Sequence, residues 1–353
     1  MMMFQWQANQ PVTLRCIDKY AETEDSVSIK LAALSEAQPF DFKPGQFINL
    51  GVNINGKLEF RAYSISSVPH ADYLQLTIKR VTQGRVSNFI VDTLAIGDEV
   101  KALPPTGDFN CIDHPPRPHS SGSKALLISA GCGITPVFAM AQYWLAHQPD
   151  IDIAFVHVAR SPEATIYFDQ LHTLAATTQQ FQLHLLLKER GAAPCHQGRL
   201  NAEWLKKLVP DLLQRTAYLC GPQRFMQDVQ RYLETLAFDM RDFHHESFTP
   251  RAPDCANVDS DSASSSSVTV NVAALGQQVE TSAGQLLADV LEQAQLPIII
   301  ACRSGICGSC KCKVNHGKVT STSQEPLTAQ EIEQGYVLAC SSSIDTDLDI
   351  DIG

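Results

Sequence analysis

The sequence predicts a multidomain chain of mixed α/β and β class: an antiparallel barrel, then a parallel α/β region, then a small unit built around cysteines. Three observations carry this. Short β-rich runs parted by turn residues fill residues 11–111, buried apolar strands alternate with helical patterns over 124–248, and four cysteines crowd into 302–312. A length of 353 residues exceeds what one hydrophobic core usually serves. With 44% hydrophobic and 18% charged residues the chain has enough material for packed cores.

In the first region the expected strands include 26–31, 45–52, 60–65, 74–81 and 99–103, the pattern of an antiparallel barrel. A helical stretch, 86–94, interrupts them, and 113–123, rich in Pro, His and Ser, reads as a loop. In the second region 124–130, 153–159, 182–188, 216–220 and 242–247 are the strand candidates. Their alternation with helical patterns implies βαβ crossovers and a parallel sheet. Residues 249–267 carry Pro, Asp and a serine run with almost nothing apolar, which reads as a 19-residue flexible tether with a reach of roughly 25 Å. The tail opens with strands 268–272 and 277–281. A capping box from Ser282 to Gln285 and the spacing of Leu286, Val290 and Leu291 predict a helix after them. The expected domains are therefore 1–112, 113–248 and 268–353, with 249–267 as linker.

A formal net charge of −11 and a pI near 5.4 argue against nucleic acid or anionic lipid as partners. From Val268 onward ten acidic residues face four basic ones, a net of −6. That bias suits docking onto a basic face, and equally a merely solubilising surface. Residues 1–10 lack the positive flank and apolar run of a signal peptide. The most apolar stretch, 124–141, is broken by Gly131, Gly133 and Pro136, so no stable membrane insertion is expected. Eleven cysteines, an odd number, fit a reducing cytoplasm, where such crowding points to metal.

Cys302, Cys307 and Cys310 are separated by four and then two residues, and Cys340 follows after 29 more. This is the spacing of a plant-type [2Fe-2S] centre, in which one tight loop wraps the cluster and a distant segment closes the cage. Gly305 and Gly308 suit that loop, where unusual backbone angles bring N–H groups toward sulfur. A zinc site normally shows two Cys-x-x-Cys pairs or added histidines, and the interval from Cys302 to Cys307 departs from it. Cys312 is expected to point to the opposite face of a strand starting at Lys311, into the core. The tail resembles plant-type ferredoxins over nearly its whole length, including Ala301-Cys302-Arg303 and Leu338-Ala339-Cys340. The resemblance implies a β-grasp fold with Cys302, Cys307, Cys310 and Cys340 as ligands.

Arg61-Ala62-Tyr63-Ser64 lies on an alternating run that sets Arg61 and Tyr63 on one face and Ala62 and Ser64 on the other. A flavin dinucleotide needs a cation for its pyrophosphate, an aromatic against its rings and a small donor near the hydride-accepting nitrogen. Gly84-Arg85-Val86-Ser87 precedes the short helix, whose free N–H groups and the Ser87 hydroxyl suit a phosphate. Taken alone, each run is compatible with an ordinary strand or turn. In this order they resemble the ferredoxin–NADP reductase superfamily over about residues 11–248. The resemblance implies that Arg61, Ala62, Tyr63 and Ser64 bind the flavin and that Gly84, Val86 and Ser87 hold its pyrophosphate, with FAD favoured over FMN.

The strand 124–130 runs into Gly131-Cys132-Gly133-Ile134-Thr135-Pro136, where Thr135 suits an N-cap and Pro136 the first helical position. The glycines let a phosphate or nicotinamide approach the backbone. Cys220-Gly221-Pro222 ends a later strand and opens a helix at Gln223. In the superfamily the matching cysteine lies beside the nicotinamide and the Gly-Pro turn shapes its pocket; a buried structural cysteine is the plainer alternative. Glu246 and Phe248 end the domain in a pattern resembling reductases whose terminal aromatic covers the flavin, with core packing the alternative for Phe248. Arg160 and Ser161 suit a 2′-phosphate, yet NADH-using relatives share such residues. Overall resemblance implies NADH, with NADPH as alternative.

Hydride carries two electrons and a [2Fe-2S] cluster accepts one, so a carrier that takes pairs and releases single electrons must stand between them, as flavin does. The resemblances together give an antiparallel Greek-key FAD-binding barrel, a parallel α/β nicotinamide-binding domain and a β-grasp ferredoxin domain. Gly131-Cys132-Gly133, residues 301–308 and residues 335–340 resemble the NADH oxidoreductases that serve hybrid-cluster proteins. Reductase components of Rieske-type oxygenases and of fatty-acid desaturases share the architecture. The expected acceptor is hybrid-cluster protein, with an oxygenase or desaturase component as alternative. A redox-sensing module without turnover and direct reduction of a small molecule are competing classes. No acid or base is expected, since hydride transfer needs alignment more than proton chemistry; Ser64 and Cys220 are the candidates for orienting the reacting rings.

Overall fold

The computed structural model describes residues 3–7, 10–35, 37–118, 122–247 and 267–352. Of these, 3–58 with 63–247 belong to one compact unit and 59–62 with 267–352 to another. The first region holds β1 (Val12–Thr23), β2 (Ser26–Ala33), β3 (Phe47–Ile54), β4 (Lys57–Ser64), β5 (Leu74–Lys79), α1 (Arg85–Asp92) and β6 (Glu99–Ala102). The strands bond in the order β4-β3-β6-β1-β2-β5, a Greek-key arrangement, and a bridge from Ile65 to Leu76 joins the two edges into a barrel. Inward positions such as Leu14, Ile29, Leu31, Ile48, Leu50, Leu76 and Ile78 are fully buried, as the two-residue strand period requires.

In the long first strand a bulge between Cys16 and Asp18 breaks the alternation, and charged residues follow. One of them, Lys19, is used by the fold. Its Nζ donates to the carbonyls of Val91 and Leu94 at 3.0 and 2.6 Å, serving acceptors that the end of α1 leaves unpaired.

The second region continues with β7 (Lys124–Ala130), α2 (Ile134–His147), β8 (Asp152–Ala159), α3 (Phe168–Thr177), β9 (Phe181–Leu187), β10 (His196–Gln197), α4 (Ala202–Leu208), β11 (Thr216–Cys220), α5 (Gln223–Thr235) and β12 (Phe243–Glu246). All six strands pair in parallel in the order β10-β9-β8-β7-β11-β12. β7, β8 and β11 are almost continuously buried, as strands under crossover helices must be.

At the amino ends of these strands the buried Arg215 joins three segments. Its guanidinium reaches both carboxylate oxygens of Asp152 at 3.1 and 3.0 Å, both of Asp211 at 2.7 and 3.0 Å, and the Ala125 carbonyl at 3.1 Å. Burial pushes the Asp211 carboxyl up, but hydrogen bonds from Arg215 and Lys124 outweigh it and hold it below its ordinary value. Arg215→Met would leave the partly buried Asp152 without its guanidinium partner and Asp211 with Lys124 alone. We expect a loss of about 3–5 kcal/mol and a Tm lower by roughly 10 °C, with KM for the nucleotide unchanged because the strands' carboxyl ends lie elsewhere; thermal denaturation beside steady-state kinetics checks both.

The second unit comprises β13 (Ser267–Val272), β14 (Gln277–Ser282), α6 (Leu287–Gln293), β15 (Lys311–His316), β16 (Val319–Ser321), α7 (Ala329–Glu333), β17 (Tyr336–Leu338), β18 (Ser342–Ile344) and β19 (Leu348–Ile352). Five strands pair as β14-β13-β19-β15-β17, parallel only between β13 and β19, and β16 pairs with β18. Leu287, Val290 and Leu291 of α6 lie in the core of this β-grasp unit, as does Cys312, whose thiol burial pushes up to about 12.

The capping box expected at Ser282 and Gln285 does not form. Ser282 is the last residue of β14, opposite Ser267, so its backbone is committed to the ladder; α6 starts at Leu287 without a side-chain cap. A capping box does occur at Thr328 and Glu331, opening α7. The tether 249–267 lies outside the described residues except for Ser267, which opens β13. No helix among the described residues is long and apolar enough to cross a membrane.

Candidate flavin, nicotinamide and cluster sites

The four cysteine sulfurs converge. Cys302 contacts Cys307 and Cys340, and Cys310 contacts Cys340. Cys302, Cys310 and Cys340 are buried and Cys307 is half-buried. Backbone N–H groups turn toward the sulfurs: Ser304 donates to Cys302 Sγ and Cys340 to Cys310 Sγ, each at 3.5 Å. The loop that achieves this places Gly305 and Gly308 at φ of 74° and 73°, as the sequence anticipates. Arg303 shares the left-handed region and is held there by ion pairs to Asp289, at 2.8 Å, and to Glu292 on α6.

Shared protons set two of these thiols against the other two. Contact with their neighbours holds Cys302 and Cys310 below the ordinary thiol value and Cys307 and Cys340 well above it. Four sulfurs this close become thiolates together only if positive charge sits among them, which is what an iron centre provides. Among the described residues no three His, Cys, Asp or Glu side chains are arranged to hold a metal ion. A two-iron cluster draws its sulfurs in pairs, one pair to each iron, so pairwise convergence is the relevant geometry. The buried Ser304 hydroxyl has no hydrogen-bond partner among the described residues.

The flavin candidates lie on β4 and before α1. Ser64 is buried, while Arg61, Ala62 and Tyr63 are half-buried; Arg61 donates to the Phe60 carbonyl. Gly84 caps α1 with extended backbone and no side-chain bond, so no capping side chain fills the start of the helix. A Cβ on Gly84 would lie 2.5 Å from Ser87 Oγ, so only glycine leaves room for that hydroxyl beside the turn. The Val86 side chain is buried in the barrel core.

The nicotinamide candidates meet where β7 and β11 end. A Cβ on Gly133 would fall 2.3 Å from the Cys220 carbonyl oxygen and 2.6 Å from the Gly221 nitrogen, so the two turns touch backbone to backbone. One expectation is corrected: Thr135 is not the N-cap. Residues 131–133 form a single 3-10 turn, Gly133 caps α2, and Thr135 sits inside its first turn with Oγ1 donating to the Cys132 carbonyl at 3.0 Å. Pro136 takes the third helical position instead of the first, still within the first turn of α2, where a proline without an N–H is tolerated. Pro222 caps α5, which starts at Gln223 as expected. Cys220 is buried at the register position of Ser129 and Glu246, and burial followed by the nearby Glu246 pushes its thiol well up, so it contributes shape and not charge. Phe248 lies outside the described residues.

A cavity of about 710 Å³ opens beyond the carboxyl ends of β8 and β9. Ser161, Glu163, Phe168 and His172 form one wall and residues 189–194 the other. The Nε2 of His172 is buried without a hydrogen-bond partner among the described residues. The sequence marked Ser161 only; Glu163, His172 and Glu189 carry no motif, and only the rule that parallel sheets bind ligands beyond their carboxyl edge pointed here.

Comparison with known proteins agrees with this layout. Residues 13–111 match the oxidoreductase FAD-binding domain, 127–231 the oxidoreductase NAD-binding domain and 270–345 the 2Fe-2S iron-sulfur cluster binding domain. The chain is 34% identical to the glycine betaine monooxygenase reductase subunit of Pseudomonas aeruginosa, over 98% of this chain and 96% of that one. It is 31% identical to the NADH oxidoreductase HCR of Escherichia coli over 88% of each. In fold it is similar to phthalate dioxygenase reductase, with a TM-score of 0.64 and 23% identity over 97% of this chain and 98% of that one. The cofactors are thus FAD, a nicotinamide dinucleotide and a [2Fe-2S] cluster, the chemistry is NAD(P)H-dependent electron transfer, and the chain belongs to the ferredoxin–NADP reductase superfamily, among the flavoproteins that carry a C-terminal plant-type ferredoxin domain.

Proposed function

We propose that this chain is the NADH-oxidising reductase of a two-component monooxygenase, passing electrons to a separate terminal oxygenase. The observation carrying this choice of acceptor is the near end-to-end similarity to a monooxygenase reductase subunit. A stachydrine N-demethylase reductase subunit of Rhizobium meliloti, 29% identical over 96% of this chain, supports it. Hybrid-cluster protein is the second reading, favoured by the loop motifs around Cys132, Cys302 and Cys340 and by the NADH oxidoreductase HCR. We assign the domains to residues 1–112, 113–248 and 268–353, linked by 249–267, and the protein to the cytoplasm.

In this reading Arg61, Ala62, Tyr63 and Ser64 hold the flavin, with Gly84, Val86 and Ser87 at its pyrophosphate. Gly131, Gly133, Thr135, Pro136, Cys220, Gly221 and Pro222 shape the nicotinamide pocket, and Phe248 closes over the flavin rings. The 710 Å³ cavity takes the adenosine end. Cys302, Cys307, Cys310 and Cys340 ligate the iron. Bound flavin supplies the exchange between a two-electron donor and a one-electron outlet. Ser64 and Cys220 orient, and the buried thiol of Cys220 keeps water and charge from the ring face.

Anaerobic addition of NADH to purified protein should bleach the flavin absorption, and mixing with candidate acceptors should separate the readings. NADH and oxygen consumption that rise together with a terminal oxygenase component, and not with hybrid-cluster protein, are expected. An unbleached flavin would overturn the reductase assignment, and turnover with hybrid-cluster protein alone would replace the acceptor.

A further inference from the structure

Four polar side chains of the first unit form one line, running from the half-buried Glu22 to the buried Ser28, Thr77 and Tyr167. The Ser28 hydroxyl donates to the Glu22 carboxylate at 2.5 Å and lies 2.7 Å from Thr77 Oγ1, which in turn bonds the Tyr167 hydroxyl. Glu22, Ser28 and Thr77 stand on the neighbouring strands β1, β2 and β5. The proton order is forced. A carboxylate only accepts, so the single proton of Ser28 goes to Glu22, that of Thr77 to Ser28, and Tyr167 donates to Thr77. The Tyr167 backbone N–H also bonds Glu22, and Ser66 reaches its hydroxyl.

Tyr167 is 2% exposed, stacks on Phe138 of α2 with centroids 4.8 Å apart, and stands at φ 62°, a conformation that a bulky residue adopts only when its surroundings impose it. It ends the loop after β8 that supplies Ser161, Pro162 and Glu163 to the cavity wall, and it precedes Phe168, also in that wall. The Thr77 carbonyl meanwhile accepts from the Cys132 thiol at 3.4 Å, so the loop after β7 is tied to the same residue.

We propose that Tyr167 is a positioning residue for the nucleotide donor: its bond to Thr77 fixes the wall of the cavity that receives the adenosine half, in register with the nicotinamide turn. The inference rests on the assignment of that cavity to the cofactor made above. Holding a remote part of the donor acts on binding and leaves the reacting rings alone. Tyr167→Phe keeps the stacked ring and removes the hydroxyl that ends the line, together with its contact to Ser66.

The test compares NADH with reduced nicotinamide mononucleotide, which lacks the adenosine half. With Tyr167→Phe, KM for NADH should rise about three- to tenfold, the worth of one neutral hydrogen bond, with kcat within about twofold. kcat/KM for the mononucleotide and the flavin spectrum should not change. Thr77→Val should reproduce the effect from the other partner, Thr77→Ser should restore it to wild type, and the double variant Tyr167→Phe with Thr77→Val should be no worse than either alone. An unchanged KM, an equal loss with both donors, or additive single effects would each overturn the proposal. Failure of wild-type protein to accept hydride from NADH would instead remove the functional assignment itself.

Discussion

Cys307→Ser should leave flavin bleaching by NADH intact and lower cytochrome c reduction by about a hundredfold or more, since even an outer-shell change at a metal site costs 10- to 100-fold. Cys307 is the least buried of the four converging cysteines, and besides Cys302 it meets the Ser309 hydroxyl at 3.1 Å, so its replacement disturbs packing least. The neighbouring Cys302 sulfur, ahead of burial, holds its thiol well above the ordinary value. Without a cation that pair cannot both ionise; with iron both must. Iron and acid-labile sulfide, measured on the same preparations, should fall together in the variant. Cytochrome c reduction at the wild-type rate would place the outlet elsewhere, and zinc in the native protein in place of iron and sulfide would remove it.

The cysteine loop was legible because its chemistry is local: three ligands within nine residues and two glycines where the backbone turns left-handed need no tertiary partner to be recognised. The barrel and the parallel sheet were legible for a similar reason, since the two-residue alternation and the buried apolar runs are written into single strands. What failed was what depends on a partner. Nothing local to β1 shows that Lys19 reaches across to the end of α1. Ser282 carries the sequence of a helix cap, but the pairing with Ser267 claims it for β14. Thr135 has the right chemistry for a cap, and the tight turn of residues 131–133 moves the helix start two residues earlier, from Pro136 to Ile134. The line from Glu22 to Tyr167 draws on four segments more than 140 residues apart at its extremes, and no one-dimensional pattern marks it.

Gly133→Ala tests the nicotinamide pocket at its narrowest point. The added methyl carbon would lie 2.3, 2.5 and 2.6 Å from the Cys220 oxygen, the Cys220 carbonyl carbon and the Gly221 nitrogen, all backbone atoms of a turn that has no soft side chain to give way. Relief requires α2 or the Cys220-Gly221-Pro222 turn to move by the better part of an ångström, and a misplacement near 1 Å costs about a hundredfold in a reaction governed by alignment. kcat/KM with NADH is therefore expected to drop by about two orders of magnitude, while flavin content and chemical reduction by dithionite stay normal. Gly131→Ala is the control. That residue, at φ 55°, has open space around it, so a methyl group there costs only backbone strain, about 1–2 kcal/mol of stability. If the two alanine variants lose hydride transfer equally, backbone strain and not the contact with Cys220 accounts for the loss, and the pocket does not lie between these turns.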